Sequence, residues 1–166
     1  MDLQLRNKVI IVTGGASGIG AAIVAGASRE GAVAVIVDRN VENALQVECD
    51  LRKSGAQAHA LFADLTSAEN CRRVIDETLE RCGRIDALVN NAGFNDAVGL
   101  ENGNPDEYIK SLERNLFHYY NLAHFALPSL KQARGAIVNI ASKTAVTGQG
   151  GTSGYASSKG AILALT

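Results

Sequence analysis

Tyr155 and Lys159 stand four residues apart in Tyr155-Ala156-Ser157-Ser158-Lys159. On a helix, positions i and i+4 share a face, with Cβ atoms about 5–6 Å apart. An ammonium that close favours the phenolate, so the tyrosine pKa is expected to fall from its ordinary value of about 10. A tyrosine tuned in this way can take a proton from an alcohol or give one to a carbonyl. Ser142 lies thirteen residues upstream, just after an apolar run that reads as a strand. Its hydroxyl reaches the same reacting oxygen if that strand faces the helix. Alone the pair is a weak signal, because a tyrosine packed beside a solvated lysine is the ordinary reading of Tyr-x-x-x-Lys. Its weight comes from the elements that must position it.

Val9-Ile10-Ile11-Val12 is a continuous β-branched run, the pattern of a strand buried on both faces of a parallel sheet. Thr13-Gly14-Gly15-Ala16-Ser17-Gly18-Ile19-Gly20 follows at once, and then a small-residue helical stretch to about Glu30, ended by Gly31. Strand, glycine-rich turn and helix in that order form a dinucleotide-binding context. Glycines let the backbone approach a pyrophosphate, and the helix N-terminus offers free N–H groups and the positive end of its dipole. Gly14, Gly18 and Gly20 exceed what a simple turn requires. Val33 to Val37 is the second strand, and Asp38 ends it, eighteen residues beyond Gly20. An acidic residue there accepts hydrogen bonds from an adenosine ribose and repels a 2′-phosphate, favouring NAD over NADP. Arg39 beside it keeps NADP open.

The rhythm continues. A polar helix spans about Val41 to Ser54, Ala58 to Phe62 is a third strand, and Asp64-Leu65 sits at its carboxyl end. Thr66-x-x-Glu69 reads as a capping box for a helix through Cys82. Asp86 to Val89 is the fourth strand, running into Asn90-Asn91-Ala92-Gly93. Asn104-Pro105-Asp106-Glu107 opens a long helix through about Leu127, with Asn as cap, Pro at the first position and acids in the first turn. Asn115 is a poor interior helix residue and points to a kink or a polar contact. Ala136 to Ala141 is the fifth strand, Ser142 to Gly154 a loop, and the Tyr155 helix closes the chain. Alternating strands and helices predict an α/β fold, a doubly wound parallel sheet in three αβα layers, as one domain over residues 1–166.

Composition narrows the function. A net charge of −1 with scattered lysines and arginines argues against nucleic acid or an anionic membrane surface as partner. No apolar run approaches the roughly 18 residues of a membrane span. Cys49, Cys71 and Cys82 are odd in number and widely spaced, which favours a reducing, cytoplasmic setting over disulfides or zinc. His59, His118 and His124 lack carboxylate or Cys partners at metal spacing, so all three read as packing or surface residues and no metal site is expected.

Taken together, Thr13-Gly14-x-x-x-Gly18-x-Gly20, Asn90-Asn91-Ala92-Gly93, Asn115, Ser142 and Tyr155-x-x-x-Lys159 resemble the compact branch of the short-chain dehydrogenase/reductase family. The resemblance covers essentially the whole chain and implies a Rossmann fold. It implies Tyr155 as general acid/base and Lys159 as the group that holds the nicotinamide ribose and depresses the Tyr155 pKa. Ser142 would orient the substrate oxygen. Asn115 would bend its helix and hold a water linking Lys159 to a proton path. Gly14, Ser17, Gly18, Ile19 and Gly20 would line the pyrophosphate, Asp38 and Arg39 the adenosine ribose, Asp64 and Leu65 the adenine, and Asn91, Ala92 and Gly93 the middle of the cofactor. Asn95-Asp96, the stretch from Ser111 to Asn115, His118-Tyr119-Tyr120 and the stretch from Ser142 to Gln149 look like the L-fucose dehydrogenase type of sugar dehydrogenase. Asn95, Asp96 and Gln149 would suit a polyhydroxylated substrate, since buried hydroxyls need partners; equally, they could cap loops.

The expectation is an oxidoreductase moving hydride between NAD, or NADP, and a secondary alcohol or sugar, L-fucose or a similar aldose oxidised at its anomeric carbon. The alternatives are an NADPH-dependent carbonyl reductase and a non-catalytic dinucleotide-binding regulator. The resemblance also implies a homotetramer or homodimer built on the two long helices, and two further strands beyond the last helix, so the chain is expected to belong to a longer protein.

Overall fold

Five short strands fill the centre of the computed structural model, which describes residues 3–166. They are β1 Val9–Thr13, β2 Val33–Asp38, β3 Ala58–Phe62, β4 Ala87–Asn90 and β5 Ala136–Asn139. All pair in parallel in the order β3-β2-β1-β4-β5, as the alternation of elements predicts. The β-branched runs are buried because helices cover both faces of the sheet. Val9 and Ile11 of β1 join Val33, Val35 and Val37 on one face, against α3 Ala68–Cys82 and α5 His118–Ala133. Ile10 and Val12 join Ala34 and Ile36 on the other, against α1 Gly18–Arg29 and α2 Val41–Lys53. Strand side chains alternate between faces, so a one-residue slip would exchange the two cores.

β1 lies between β2 and β4, so the chain changes winding direction across the β1–β4 gap. In open α/β sheets, ligands bind outside the carboxyl ends of the strands at that point. At the opposite end, Asp86 fixes the start of β4. Its carboxylate accepts from Lys8 Nζ at 3.1 Å, the Val9 N–H at 3.0 Å and Arg84 Nη2 at 2.6 Å. Burial raises its carboxyl pKa, but the Arg84, Val9 and Lys8 bonds outweigh that and hold it below the usual range.

Several local expectations are corrected. The cap of α3 is Ser67, whose hydroxyl accepts from the Asn70 N–H, and not Thr66, whose hydroxyl donates to Asp64 instead. Asp86 lies before β4 rather than in it, and β5 stops at Asn139. The segment after Ser142 contains a short helix, α6 Thr144–Thr147, before α7 Ser153–Leu165 begins. The helix capped by Asn104 runs as α4 Pro105–Leu112, a π-helical segment Glu113–Phe117, and then α5, continuing past Leu127 with Pro128 inside it. Proline forfeits one backbone bond. Leu130, buried in the core, and Ser129, whose hydroxyl accepts the Ile85 N–H, hold the last turns in place.

Candidate active site

The crevice at the β1–β4 gap opens into a cavity of about 540 Å³, within the usual range for a small-molecule site. β1 ends on Thr13, whose hydroxyl accepts the N–H groups of Asn91 and Ala92 at 2.9 and 3.0 Å. The Asn91 side chain returns a bond to the Thr13 carbonyl at 2.9 Å. These bonds lock the ends of the two strands around the crevice.

Gly14 and Gly18 adopt φ of +62° and +52°, so the turn between β1 and α1 needs glycine at both. A Cβ on Gly18 would meet nothing within 4 Å, which leaves its outer side open. Gly20 plays a different part. A Cβ there would collide with the Gly14 carbonyl oxygen, so Gly20 lets α1 close onto the turn and does not line the cavity. Ser17 caps α1 with extended backbone, but among the described residues no side chain bonds the first-turn N–H groups. They remain available to an anion.

Asp38 accepts the Ala16 N–H at 3.1 Å through one carboxylate oxygen and the Asn40 N–H at 2.9 Å through the other. It therefore shapes the glycine turn, and a carboxylate has lone pairs left for a ribose. The Arg39 guanidinium stands 5.5 Å from the Phe94 ring centroid. Asp64 accepts the Thr66 N–H at 3.0 Å and its hydroxyl at 2.8 Å; these bonds hold its carboxyl pKa down. Ser17, Ile19, Asp38, Arg39, Asp64, Leu65, Asn91, Ala92 and Gly93 all line the cavity with Gly14 and Gly18. The open turn, the uncapped helix start and the carboxylate beyond them fit a dinucleotide.

At the other end of the cavity are Ser142, Tyr155 and Lys159. α7 brings Lys159 inward until it is 2 % exposed, with Nζ donating to the Tyr119 hydroxyl at 3.0 Å and the Ile140 carbonyl at 2.9 Å. Burial pulls its pKa down to about 8. Nζ lies 5.6 Å from the Tyr155 ring centroid. Two tyrosines thus flank one ammonium, and their surroundings separate their roles. Tyr119 is fully buried, donates to the Ile140 carbonyl at 3.1 Å, and has its pKa raised, first by burial and then by Tyr155. It is a neutral phenol committed to structure. The Tyr155 hydroxyl has no hydrogen bond among the described residues, and Tyr155 lines the cavity. Ser142 Oγ accepts from the Thr144 N–H and hydroxyl at 3.3 and 3.0 Å, so its own proton is free to point at a ligand.

Asn115 does not line the cavity. It is fully buried in the π-helical segment. Its Oδ1 accepts the Phe94 N–H at 2.8 Å, and its Nδ2 donates to the Ser111 carbonyl at 3.1 Å. Both the distortion and the polar contact expected there are present. A π-bulge marks functional sites in many helices, and this one holds the loop after β4 against Lys159. The expected substrate cluster is not assembled. Asn95 Oδ1 accepts the Ala97 N–H at 3.1 Å, Asp96 accepts from Ser111 and Arg114, and exposed Gln149 accepts the Thr152 hydroxyl through its backbone carbonyl. None of the three lines the cavity. Phe94, Arg114 and His118 line the cavity although the sequence assigns them no site role, and His118, expected as a packing or surface residue, is buried there. Tyr119 and His118 follow Asn115 by four and three residues, which puts all three on one helix face.

The family model for short chain dehydrogenase matches residues 8–166. Bovine (Bos taurus) L-fucose dehydrogenase is 37 % identical over 167 residues, covering 100 % of this chain and 60 % of that protein. Cyclopentanol dehydrogenase of Comamonas testosteroni is 32 % identical over 164 residues, covering 98 % of this chain and 66 % of that protein. A crystal structure of NAD+-bound xylitol dehydrogenase superposes with a TM-score of 0.92 at 30 % identity, covering 98 % of this chain and 64 % of that one. The chain thus spans about three fifths of the length of the L-fucose dehydrogenases it matches. With its parallel sheet, glycine turn, and Ser142, Tyr155 and Lys159 around one cavity, the chain belongs to the short-chain dehydrogenase family.

Proposed function

We propose that the protein is an NAD-dependent dehydrogenase of secondary alcohols or sugars, with Tyr155 as its acid/base. One observation carries this reading. Of the two tyrosines flanking the buried Lys159 ammonium, Tyr155 lines the cavity and has a hydroxyl with no hydrogen bond among the described residues, while the Tyr119 hydroxyl is committed to Lys159 and Ile140. In the oxidative direction, Tyr155 takes the proton of the substrate hydroxyl as the carbon–oxygen bond gains double-bond character. Ser142 donates a hydrogen bond to that oxygen, keeping its own proton, and fixes its direction. Lys159 supplies a positive charge in a water-poor setting, where charge is felt more strongly. A bound nicotinamide would accept the hydride leaving the carbon. Asp38 and the first turn of α1 would hold the adenosine ribose and the pyrophosphate. NAD is favoured because a 2′-phosphate would meet the Asp38 carboxylate.

An L-fucose-like aldose, oxidised at its anomeric carbon, is the substrate we favour, in line with the name of the bovine relative. The assembly we favour is a homodimer or homotetramer joined through the exposed apolar residues Phe117 of the π-helical segment, Tyr120 of α5 and Leu165 of α7. Arg39, lining the cavity beside Asp38, favours a second reading, an NADPH-dependent carbonyl reductase. Saturation curves for both cofactors over a panel of alcohols and aldoses test these readings in the full-length protein. A clear NADP preference would overturn the role given to Asp38. NADH binding without turnover on any substrate would leave a dinucleotide-binding regulator.

A further inference from the structure

His118 opens α5, three residues after Asn115. It is 2 % exposed, yet it lines the same cavity as Lys159, Ser142 and Tyr155. Neither of its ring nitrogens has a hydrogen-bond partner among the described residues. This is unlike an ordinary core histidine, whose nitrogens are satisfied by neighbours. An unpaired buried polar atom is destabilising, and His118 has two among the described residues. The ring is kept uncharged, since burial and then the Lys159 charge lower its pKa to about 4. A neutral imidazole has one donor and one acceptor.

The matching vacancy is on Lys159. An ammonium has three N–H donors, and two are spent on Tyr119 and Ile140. His118 and Lys159 flank the same Tyr119 ring: the imidazole centroid lies 4.8 Å from the ring centroid and Nζ lies 5.0 Å from it. A polar pocket of this kind holds water wherever two or more partners converge.

We propose that His118 is a positioning residue of the hydride-transfer site, its imidazole bonded to water that also receives the third Lys159 donor. This rests on the reading of the site given above. The water satisfies the buried imidazole and keeps the ammonium aimed at the cavity, without His118 touching the reacting atoms. Because the ring stays neutral, it adds no second positive charge beside Lys159.

The test uses the full-length protein in two parts. In 15N-histidine-labelled protein at pH 7, the His118 ring should give the signature of a neutral imidazole with a hydrogen-bonded acceptor nitrogen, and Lys159→Met should move that resonance. A neutral ring whose acceptor nitrogen is unbonded and indifferent to Lys159→Met would overturn the proposal. In kinetics, His118→Phe keeps the stacking on Tyr119 and removes both nitrogens. It should lower kcat roughly tenfold, about one hydrogen bond's worth, with the cofactor KM within about twofold. His118→Gln, which keeps a donor and an acceptor, should recover most of that loss. Equal losses in the two variants would overturn the proposal. If the full-length protein oxidises no alcohol or sugar, the hydride-transfer reading fails, and the nitrogen spectra still decide whether His118 holds bonded water.

Discussion

Lys159 Nζ reaches across 40 residues of sequence to donate to the Tyr119 hydroxyl at 3.0 Å, while Tyr155, four residues away, has no hydrogen bond on its hydroxyl among the described residues. The two tyrosines should therefore answer differently to loss of that oxygen. Tyr119→Phe takes one bond from the buried ammonium and one from the Ile140 carbonyl, which still bond each other, and should cost about 1–3 kcal/mol in urea denaturation. Tyr155→Phe should stay within about 0.5 kcal/mol of the parent.

Gly18 and Gly20 make a second contrasting pair. Gly20→Ala drives a methyl into the Gly14 carbonyl, which is backbone and cannot swing aside. It should cost more than about 2 kcal/mol or prevent folding. Gly18→Ala meets open space and pays only for its φ of +52°, about 1–2 kcal/mol. Thermal unfolding of the two variants checks the order.

Asn115 joins the π-helical segment to the loop after β4 through the Phe94 N–H. Asn115→Leu removes the acceptor from a fully buried position. The expected loss is about 1–3 kcal/mol. Amide exchange at Phe94 should accelerate, while exchange in β1 follows global stability alone.

His118 sets an acid dependence of stability. Its folded pKa of about 4 lies below the ordinary value of 6.5, so between those pH values the unfolded chain binds a proton that the folded chain refuses. Stability should then fall as pH drops from 6.5 towards 4, by about 1.4 kcal/mol per pH unit. His118→Gln should lack that contribution. Denaturant titrations at several pH values, taken as the difference between parent and variant, read it directly.

Periodicity and punctuation made the fold legible. The β-branched run from Val9 could only be a doubly covered strand, and Gly31, Gly55 and Gly83 ended helices where left-handed backbone was needed. That Tyr155 and Lys159 reach one cavity was legible because they share a helix face. Thr66 was misread as a cap because its spacing to Glu69 is right while Asp64 captures its hydroxyl. Helix α5 runs past Pro128 because core packing at Leu130 overrides the missing backbone bond. The roles of Tyr119 and His118 were hidden for another reason. They depend on which tyrosine the Lys159 side chain meets, and that is set by tertiary packing of α7 against α4 and the π-helical segment that leads into α5, which no local spacing encodes.

The central claim is that the Tyr155 oxygen carries the proton while Lys159 and the nicotinamide site stand independently of it. In the full-length protein, Tyr155→Phe should bind NADH as the parent does and lose roughly 10²–10⁴-fold in kcat with the best alcohol or sugar. Turnover within a few-fold of the parent, with binding intact, would contradict the account.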